Sequence, residues 1–191
     1  AHVRYPEDLF RVQRDILSSY HVTTASAFYG GQDFWRVPTD PSTFGGNAGA
    51  QPPYYLTLQM PGALKPSFSL TTPFVPVGGR QNLSAFASVI SDPGPNYGKM
   101  TVLQLPRSTN IAGPSQVASN FHAKTIITDS LSIPRHCWTD VVLANFLTLP
   151  VCCLLLYVHP VCRTASSNPH SSTLHETGPV SFRPTSAVGT I

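Results

Sequence analysis

The sequence predicts an α+β fold, and three of its features support that class. Residues 6–20 carry apolar side chains at helical spacing, and residues 54–106 alternate apolar and polar side chains with period two. The 19 prolines and 13 glycines divide the rest of the chain into short elements. With 191 residues, the chain is long enough for one domain with a hydrophobic core or for a fragment of a larger domain.

The first element is a helix over residues 6–20. Pro6 suits the first helical position, and Glu7 and Asp8 suit the positive end of the helix dipole. The spacing predicts a buried face and an opposite, charged face. The predicted buried face is Leu9, Phe10, Gln13, Ile16, Leu17 and Tyr20, and the predicted exposed face is Arg11, Arg14 and Asp15. We expect this helix to dock at the edge of a domain.

An antiparallel sheet of about four strands is expected next, after an irregular connection over residues 23–53. The predicted strands are 54–60, 68–71 with a continuation at 74–75, 83–90 and 99–105. Residues 92–98 contain only turn-forming chemistry, so the last two strands should pair as a hairpin. Because proline donates no hydrogen bond, we place Pro61, Pro73 and Pro106 at strand ends or sheet edges.

The second half predicts short helices, two further strands and a tail. One or two short helices fit residues 114–132, with Pro114 at a first position and Thr128 or Asp129 as a second cap. Residues 141–158 contain no charge and reach the length of a membrane span. Pro150 and Asn145 interrupt this run, so two core strands broken near Pro150 fit it better. Residues 164–191 form a divergent, loose tail, with one possible edge strand around residues 180–182.

Composition excludes one class of partner. Only 11% of the residues are charged, against about 25% in ordinary soluble domains, so uncharged groups or partner contacts must cover the surface. The net charge of +3 is scattered along the chain, whereas a nucleic-acid surface needs clustered cations. We therefore expect no nucleic-acid partner. These residues include no targeting signal, because no basic segment precedes an apolar one at the start.

The sequence predicts no catalytic residue, no metal and no cofactor. The zinc-type side chains that lie closest together are Cys152, Cys153, His159 and Cys162. Adjacent strand residues point to opposite faces, so this spacing is poor for one ion. No serine lies in a nucleophile elbow, and no two acids are placed for glycoside hydrolysis. The glycine-rich segments 45–49 and 78–80 lack the spacing of a phosphate loop.

One aromatic and cationic grouping is a weak candidate for binding. It consists of Trp35, Arg36, Tyr54 and Tyr55. Aromatic faces beside an arginine can hold sugars or the loops of a partner. Packing in the core is the alternative for the same residues.

A series of short segments matches a known pattern. These segments are residues 4–10, 20–22, 33–35, 51–56, 68–70, 74–76, 80–83, 92–94, 97–99, 103–106, 113–117, 147–151 and 155–158. In them, residues 1–163 resemble the C-terminal extracytoplasmic region of a large uncharacterised family of multi-spanning membrane proteins from actinobacteria and cyanobacteria. The resemblance implies that residues 1–163 are part of an extracytoplasmic α+β domain at the outer face of the cell membrane.

Departures from that family pattern crowd into the last third of the chain. Cys152-Cys153-Leu154 stands where a glycine-rich hairpin is usual, and cysteine lacks the freedom of glycine at positive φ. His159 replaces an acidic or amide residue, Cys162 replaces an aromatic residue, and residues 134–138 replace a small polar turn. These changes suggest the hypothesis of a truncated or degraded copy.

Three functions stay open at this stage, and the ligand is unknown. The first is a non-catalytic portion of the outer domain of a membrane protein, with an envelope structural or binding role and the rest of the parent protein as its partner. The second is an envelope enzyme whose active site lies mainly upstream. The third is a remnant without function. A cleft that combines Trp35 or Arg36 with a buried carboxylate would favour the enzyme, and a flat apolar face would favour the first function.

Overall fold

The computed structural model describes residues 4–43, 48–106, 110–123, 139–151, 154–165 and 168–175. Its helices are α1 (Glu7–Tyr20), α2 (Ala25–Tyr29) and α3 (Pro114–His122). Its strands are β1 (Trp35–Arg36), β2 (Tyr54–Leu58), β3 (Ser67–Pro76), β4 (Ala85–Ile90), β5 (Met100–Gln104), β6 (Thr139–Leu143), β7 (Leu147–Val151), β8 (Leu154–Val158), β9 (Val161–Ala165) and β10 (Asn168–His175). The predicted α+β class is confirmed.

The main sheet has five antiparallel strands built around β3. One edge of β3 pairs with β4, which pairs in turn with β5. The other edge is shared by β2, which pairs with residues 67–71, and β1, which pairs with residues 75–76. The predicted hairpin is confirmed, because β4 and β5 pair from Ala85 with Gln104 to Val89 with Met100.

Pro73 lies inside β3 and not at a strand end, so only the other predicted position, an edge without a pairing partner, is met, and it is met locally. The carbonyl of Phe74 accepts a hydrogen bond from the Ser84 nitrogen, which directs residue 74 towards β4. Alternate residues of a strand direct their backbone groups to opposite edges, so Pro73 faces the edge shared by β1 and β2. There it falls in the gap between the two partner strands, where no ladder hydrogen bond is required of it.

The sheet is covered on both faces. On one face, α3 and the β7–β8 hairpin, with Tyr157 of β8, pack against large apolar side chains of the sheet that include Phe86 and Leu103. On the other face, α1 packs through Phe10 and Leu17. Because β4 lies between both layers, it is buried on both faces from Ala85 to Val89.

Helix α1 is present as predicted, but its predicted buried face is confirmed only in part, since Phe10, Gln13 and Leu17 are buried or half-buried and the other three members are exposed. Arg14 is only 5% exposed and Phe10 is fully buried. The exposed fractions of Leu9, Ile16 and Tyr20 are 46%, 53% and 71%. The helix is therefore rotated about its axis relative to the prediction. The cause is a long-range contact, since Arg14 Nη1 donates to the carbonyl of Gln51 at 3.1 Å.

The uncharged run over residues 141–158 forms strands. Its start lies in β6, and β7 and β8 pair from Leu147 with Val158 to Val151 with Leu154. The two strands predicted here, with a break near Pro150, are confirmed: Pro150 pairs with Leu155 inside β7, which ends at Val151, and β8 begins at Leu154. Within the residues that the structure describes, no helix combines the length and the apolar character needed to cross a bilayer.

Strand structure continues past residue 163. Strands β6, β9 and β10 form a second antiparallel sheet in the order β10-β9-β6, with an irregularity between Asn168 and Ser172. The sequence had suggested a loose tail there, whereas residues 168–175 form β10. The predicted strand near residues 180–182 and the second cap at Thr128 or Asp129 lie outside the described residues.

The start of α3 depends on a close backbone approach. Pro114 occupies the first turn, as predicted, and the nitrogen of Gly113 donates to the carbonyl of Gln81 at 2.9 Å. A Cβ atom at Gly113 would lie 2.1 Å from that oxygen. This contact joins the loop before β4 to the loop before α3, and both loops border cavities.

Candidate functional site

Trp35 lies at the end of the main sheet between α1 and β3. Its partner across the ladder is Pro76, and it is 7% exposed. The His21 ring stacks on the indole with centroids 3.4 Å apart and an interplanar angle of 16°. Phe74 contacts Trp35 as well, with centroids 5.6 Å apart. The indole is therefore held in one orientation by the end of a helix and by a central strand.

His21 also fixes the segment before Trp35. Its Nδ1 lies 2.8 Å from the carbonyl oxygen of Leu17, and its Nε2 lies 3.1 Å from the carbonyl oxygen of Asp33. Asp33 has a φ of 68°, which is unusual for a residue other than glycine. Such a conformation persists only where its surroundings enforce it, and it is a recognised mark of functional sites.

A cavity of about 130 Å³ opens beside Trp35. Its lining combines an indole, a carboxylate, a guanidinium, two amides, a hydroxyl and apolar groups. The polar and aromatic lining residues are Asp33, Trp35, Arg80, Asn82, Ser84 and Gln104. They come from β1 and the residues before it, from the connection between β3 and β4, and from the end of β5. Only the fold brings these three segments together.

The structure does not unite the four candidate residues that the sequence grouped. Trp35 pairs with Pro76 at one end of β3, whereas Tyr54 and Tyr55 pair with Thr71 and Leu70. Five residues of strand separate these positions, which corresponds to about 16 Å. Arg36 is half-buried in β1, where it pairs with Val75, and it does not line the cavity beside Trp35.

Tyr55 belongs to a different aromatic group near the start of the chain. The Arg4 guanidinium carbon lies 5.4 Å from the centre of the Tyr55 ring. Phe68 stacks on the same ring with centroids 5.6 Å apart, and the Tyr55 hydroxyl donates to the carbonyl of Tyr5. Burial raises the pKa of Tyr55. These contacts anchor the residues before α1 to the sheet.

Tyr54 points into a buried polar cluster that the sequence did not reveal. Burial, and next the charge of Asp40, raises the pKa of Tyr54 to about 12, and the Gln51 side chain partly opposes this rise. Gln51 is 1% exposed, and its Nε2 donates to the carbonyl of Phe146 at 2.7 Å. Arg14 donates to the Gln51 carbonyl, and burial lowers the pKa of its guanidinium. The cluster therefore links α1, the loop before β2 and the loop before β7.

Two histidines lie beside this cluster. His159 is buried against Phe146, and its ring centroid is 5.8 Å from that of His122. Burial, and next His122, lowers the pKa of His159 to about 4, although Asp40 and the Ala144 backbone act in the opposite direction. Burial also lowers the pKa of His122. Both rings are therefore neutral near pH 7.

No three histidine, cysteine or acidic side chains come close enough together to hold a metal ion in the part of the chain that the structure describes. Cys137, Cys152 and Cys153 lie outside the described residues, and the side chain of Cys162 is outside them as well. The predicted absence of a metal site at the late cysteines therefore stays a prediction.

The outer face of α1 is an apolar stripe, defined here as Leu9, Val12, Ile16 and Tyr20. Their exposed fractions are 46%, 57%, 53% and 71%. They follow each other at intervals of three, four and four residues, which places them along one side of the helix. An adjoining side, about 100° around the helix from Leu9, already packs on the sheet through Phe10. A helix that is apolar on two sides is typical of an element with neighbours on both.

Comparison with known proteins identifies the family. A family model described as "Uncharacterised protein family (UPF0182)" matches residues 1–133. A UPF0182 protein of Thermobifida fusca is 44% identical over 190 residues, which are 99% of this chain and 18% of that protein. Relatives from Leifsonia xyli and Streptomyces coelicolor are 46% and 47% identical, over 84% of this chain and 17% and 16% of their own lengths.

The match to the Thermobifida protein continues past Arg163, because it covers nearly the whole chain. The chain spans less than a fifth of the length of these relatives. No solved structure matches it. The resemblance seen in the sequence is confirmed as far as the family, whereas the membrane-spanning parent stays a prediction. The chain belongs to the uncharacterised protein family UPF0182.

Proposed function

We propose that this chain is a non-catalytic portion of the outer domain of a membrane protein, and that it packs against the rest of its parent through the apolar stripe of α1. The stripe is the observation that carries the proposal. Under this proposal, the chain has a structural or binding role in the cell envelope, at the outer face of the cell membrane, and its partner is the rest of the parent protein.

The geometry of α1 supports an interface between this helix and a second layer of protein. Its inner side is already engaged, because Phe10 is fully buried and Arg14 reaches the Gln51 carbonyl. Its outer side exposes aliphatic side chains at the spacing that helices use when they pack on other helices. Burying an aliphatic side chain is worth about 1.5–3 kcal/mol relative to leaving it in water. A partner layer over the stripe would therefore stabilise the assembly substantially.

The relatives are much longer than this chain, so the rest of the same protein can act as the partner of the stripe. This chain corresponds to 16–18% of each relative, so most of a UPF0182 protein lies outside the matched region. The charged residues on the solvent side of α1 pair with each other, as Arg11 Nη2 lies 2.6 Å from Glu7 Oε1. An uncharged stripe, on a helix whose Glu7 and Arg11 neutralise each other on another side, fits an apolar protein partner better than an anionic lipid surface, which attracts cationic helices.

The experiment is a co-purification of two parts of one protein. The tagged 191-residue chain is co-expressed with the portion of the Thermobifida fusca relative that precedes its matched region, and the recovery of that portion from detergent-solubilised membranes is measured. Replacing Val12 and Ile16 by Gln should lower the recovery at least tenfold, because two apolar side chains are then missing from the proposed interface. Leu64→Gln is the matched control, since Leu64 is 100% exposed and lies far from α1 in sequence.

Equal recovery with the wild-type chain and with the double variant would refute the docking proposal. Topology is tested separately by fusing alkaline phosphatase, which is active only after export, behind the matched region in the full-length relative. An inactive but stably expressed fusion would place the region in the cytoplasm and would refute the outer location.

A further inference from the structure

We propose that the cavity beside Trp35 binds one ring of a neutral sugar, either as a free monosaccharide or as one unit of a glycan. The proposal rests on the composition, the rigidity and the size of the cavity. It does not depend on the docking of α1, because the apolar stripe contributes no residue to the cavity lining.

The lining offers hydrogen-bonding groups of both kinds around an aromatic ring. Asn82 and Gln104 each supply an amide donor and an amide acceptor, and Ser84 supplies a hydroxyl group. A sugar hydroxyl both donates and accepts, so a neighbouring pair of hydroxyls matches planar amides better than either an anion or a cation does. The Trp35 indole adds an aromatic, apolar surface to the lining, and sugar C–H groups pack on surfaces of this kind.

Several of these groups are available for a ligand. In the part of the chain that the structure describes, the side chains of Arg80, Asn82 and Gln104 make no hydrogen bond or ion pair with the protein. Asp33 and Arg80 bring opposite charges to one small cavity, so the cavity has no net charge of its own. A neutral ligand therefore meets no uncompensated charge.

Neighbouring side chains and backbone hydrogen bonds hold the residues of the cavity lining in place. His21 stacks on Trp35 and contacts the carbonyl of Asp33, so one side chain orients two lining residues. The backbone on the far wall is fixed as well, because the nitrogens of Ser84 and Leu105 donate to the carbonyls of Phe74 and Ser84. A rigid site loses little entropy when a ligand binds.

The size limits the ligand to one ring. About 130 Å³ corresponds to roughly four waters at about 30 Å³ each, so the cavity takes up part of one sugar ring while the rest of the ring stays outside its mouth. A second cavity of about 550 Å³ borders the same loop and is lined by amides and hydroxyls, among them Gln81, Ser115, Gln116 and Asn120. Unlike the cavity beside Trp35, this second cavity has no charged lining residue, and further units of a glycan fit its chemistry.

The test is a titration of the full chain with defined sugars. Trp138→Phe leaves Trp35 as the only tryptophan, because the chain contains two. Glucose, mannose, galactose, N-acetylglucosamine and the tetrasaccharides of glucose and N-acetylglucosamine are added separately. We expect at least one of them to shift the Trp35 fluorescence and the indole N–H resonance with a dissociation constant in the millimolar range or tighter. Tighter binding of a tetrasaccharide than of its monosaccharide would assign the ligand to a glycan, and equal binding would assign it to a free sugar.

Matched variants locate the binding. Gln104→Ala and Arg80→Ala should each weaken sugar binding at least tenfold, and both side chains are exposed enough to be removed without loss of the fold. Gln59→Ala and Lys65→Ala remove an amide and a cation at the other end of the sheet and should leave the dissociation constant unchanged. Absence of any shift with all six sugars in the folded protein would overturn the proposal. A shift with glycine or alanine alone would also overturn it, because it would assign the opposite charges of Asp33 and Arg80 to a free amino acid.

Discussion

The two faces of the main sheet are closed in different ways. On the α3 face, large side chains such as Phe86, Phe146 and Tyr157 fill the space between the sheet, the helix and the β7–β8 hairpin. On the α1 face, the small side chains of Ala85 and Ala87 face a single helix. The outer side of that helix is again apolar. The first face is a finished core, whereas the second face ends in a helix whose outer side would be covered by the partner that we propose.

The largest effect should come from the finished face. Phe146 is fully buried and contacts Phe121, Tyr157 and His159. Phe146→Ala should lower the free energy of unfolding by about 3–5 kcal/mol, because it removes a large buried side chain and leaves a cavity. Urea denaturation followed by circular dichroism measures this change.

Leu64→Ala is the control for that measurement, because Leu64 is 100% exposed and should change the unfolding free energy by less than about 0.5 kcal/mol. If the two variants lose similar stability, the α3 face is not the closed core that its packing indicates, and the contrast between the two faces disappears.

A smaller effect on the same face should appear in acid. The pKa of His159 is about 4 in the folded chain, below its ordinary value of 6.5. The unfolded state therefore takes up a proton below pH 6.5, while the folded state takes it up only near pH 4. Stability should fall as the pH is lowered from 6.5 to 4, by an amount on the order of 2–3 kcal/mol, and this term should be constant below pH 4.

His159→Gln isolates this term, because glutamine does not titrate. Thermal unfolding of both proteins is followed from pH 7.5 to pH 3.5. The difference in melting temperature between wild type and variant should shrink, or reverse in favour of the variant, as the pH falls. Parallel curves would show that His159 titrates with an ordinary pKa and that its surroundings are open to water.

The smallest effect should come from the unfinished face. Val12→Gln on the apolar stripe should change the unfolding free energy of this chain by no more than about 0.5 kcal/mol, because Val12 is 57% exposed. Phe10→Ala on the inner side of the same helix should cost about 3–5 kcal/mol. The ratio of the two effects, measured by urea denaturation, reports which side of α1 faces the sheet, and equal losses would contradict the orientation described here.

Local signals in the sequence were sufficient to predict most of the helices and strands. The turn over residues 92–98 predicts the β4–β5 hairpin, because its proline and glycine residues determine the turn from within. The start of α1 follows from Pro6, Glu7 and Asp8 for the same reason. The orientation of α1 did not follow, since apolar residues occur on two of its sides and periodicity cannot tell which side has a neighbour. The deciding contact joins Arg14 to Gln51, which is 37 positions away.

The candidate site shows the same limit. Trp35 was singled out because an aromatic residue next to an arginine is a visible pattern, but its sequence neighbours are not its partners in the cavity. Arg80 and Gln104 reach Trp35 only through the pairing of β1 with β3 and of β4 with β5. The strain at Asp33 had no signal in the sequence either, because aspartate usually adopts a negative φ.

Pro73 has a consequence for how this family can vary. Since β3 is one continuous strand whose outer edge is divided between β1 and β2, the chain between those two strands leaves and rejoins the sheet on either side of a residue that pairs with neither. The ends of this connection are fixed, because Thr39 pairs with Ala50 and Gln51 holds both Arg14 and the carbonyl of Phe146. Only the part of the chain between Ser42 and Gly49 is then expected to tolerate an insertion without shifting a hydrogen-bond register, and lengthening a loop costs little free energy.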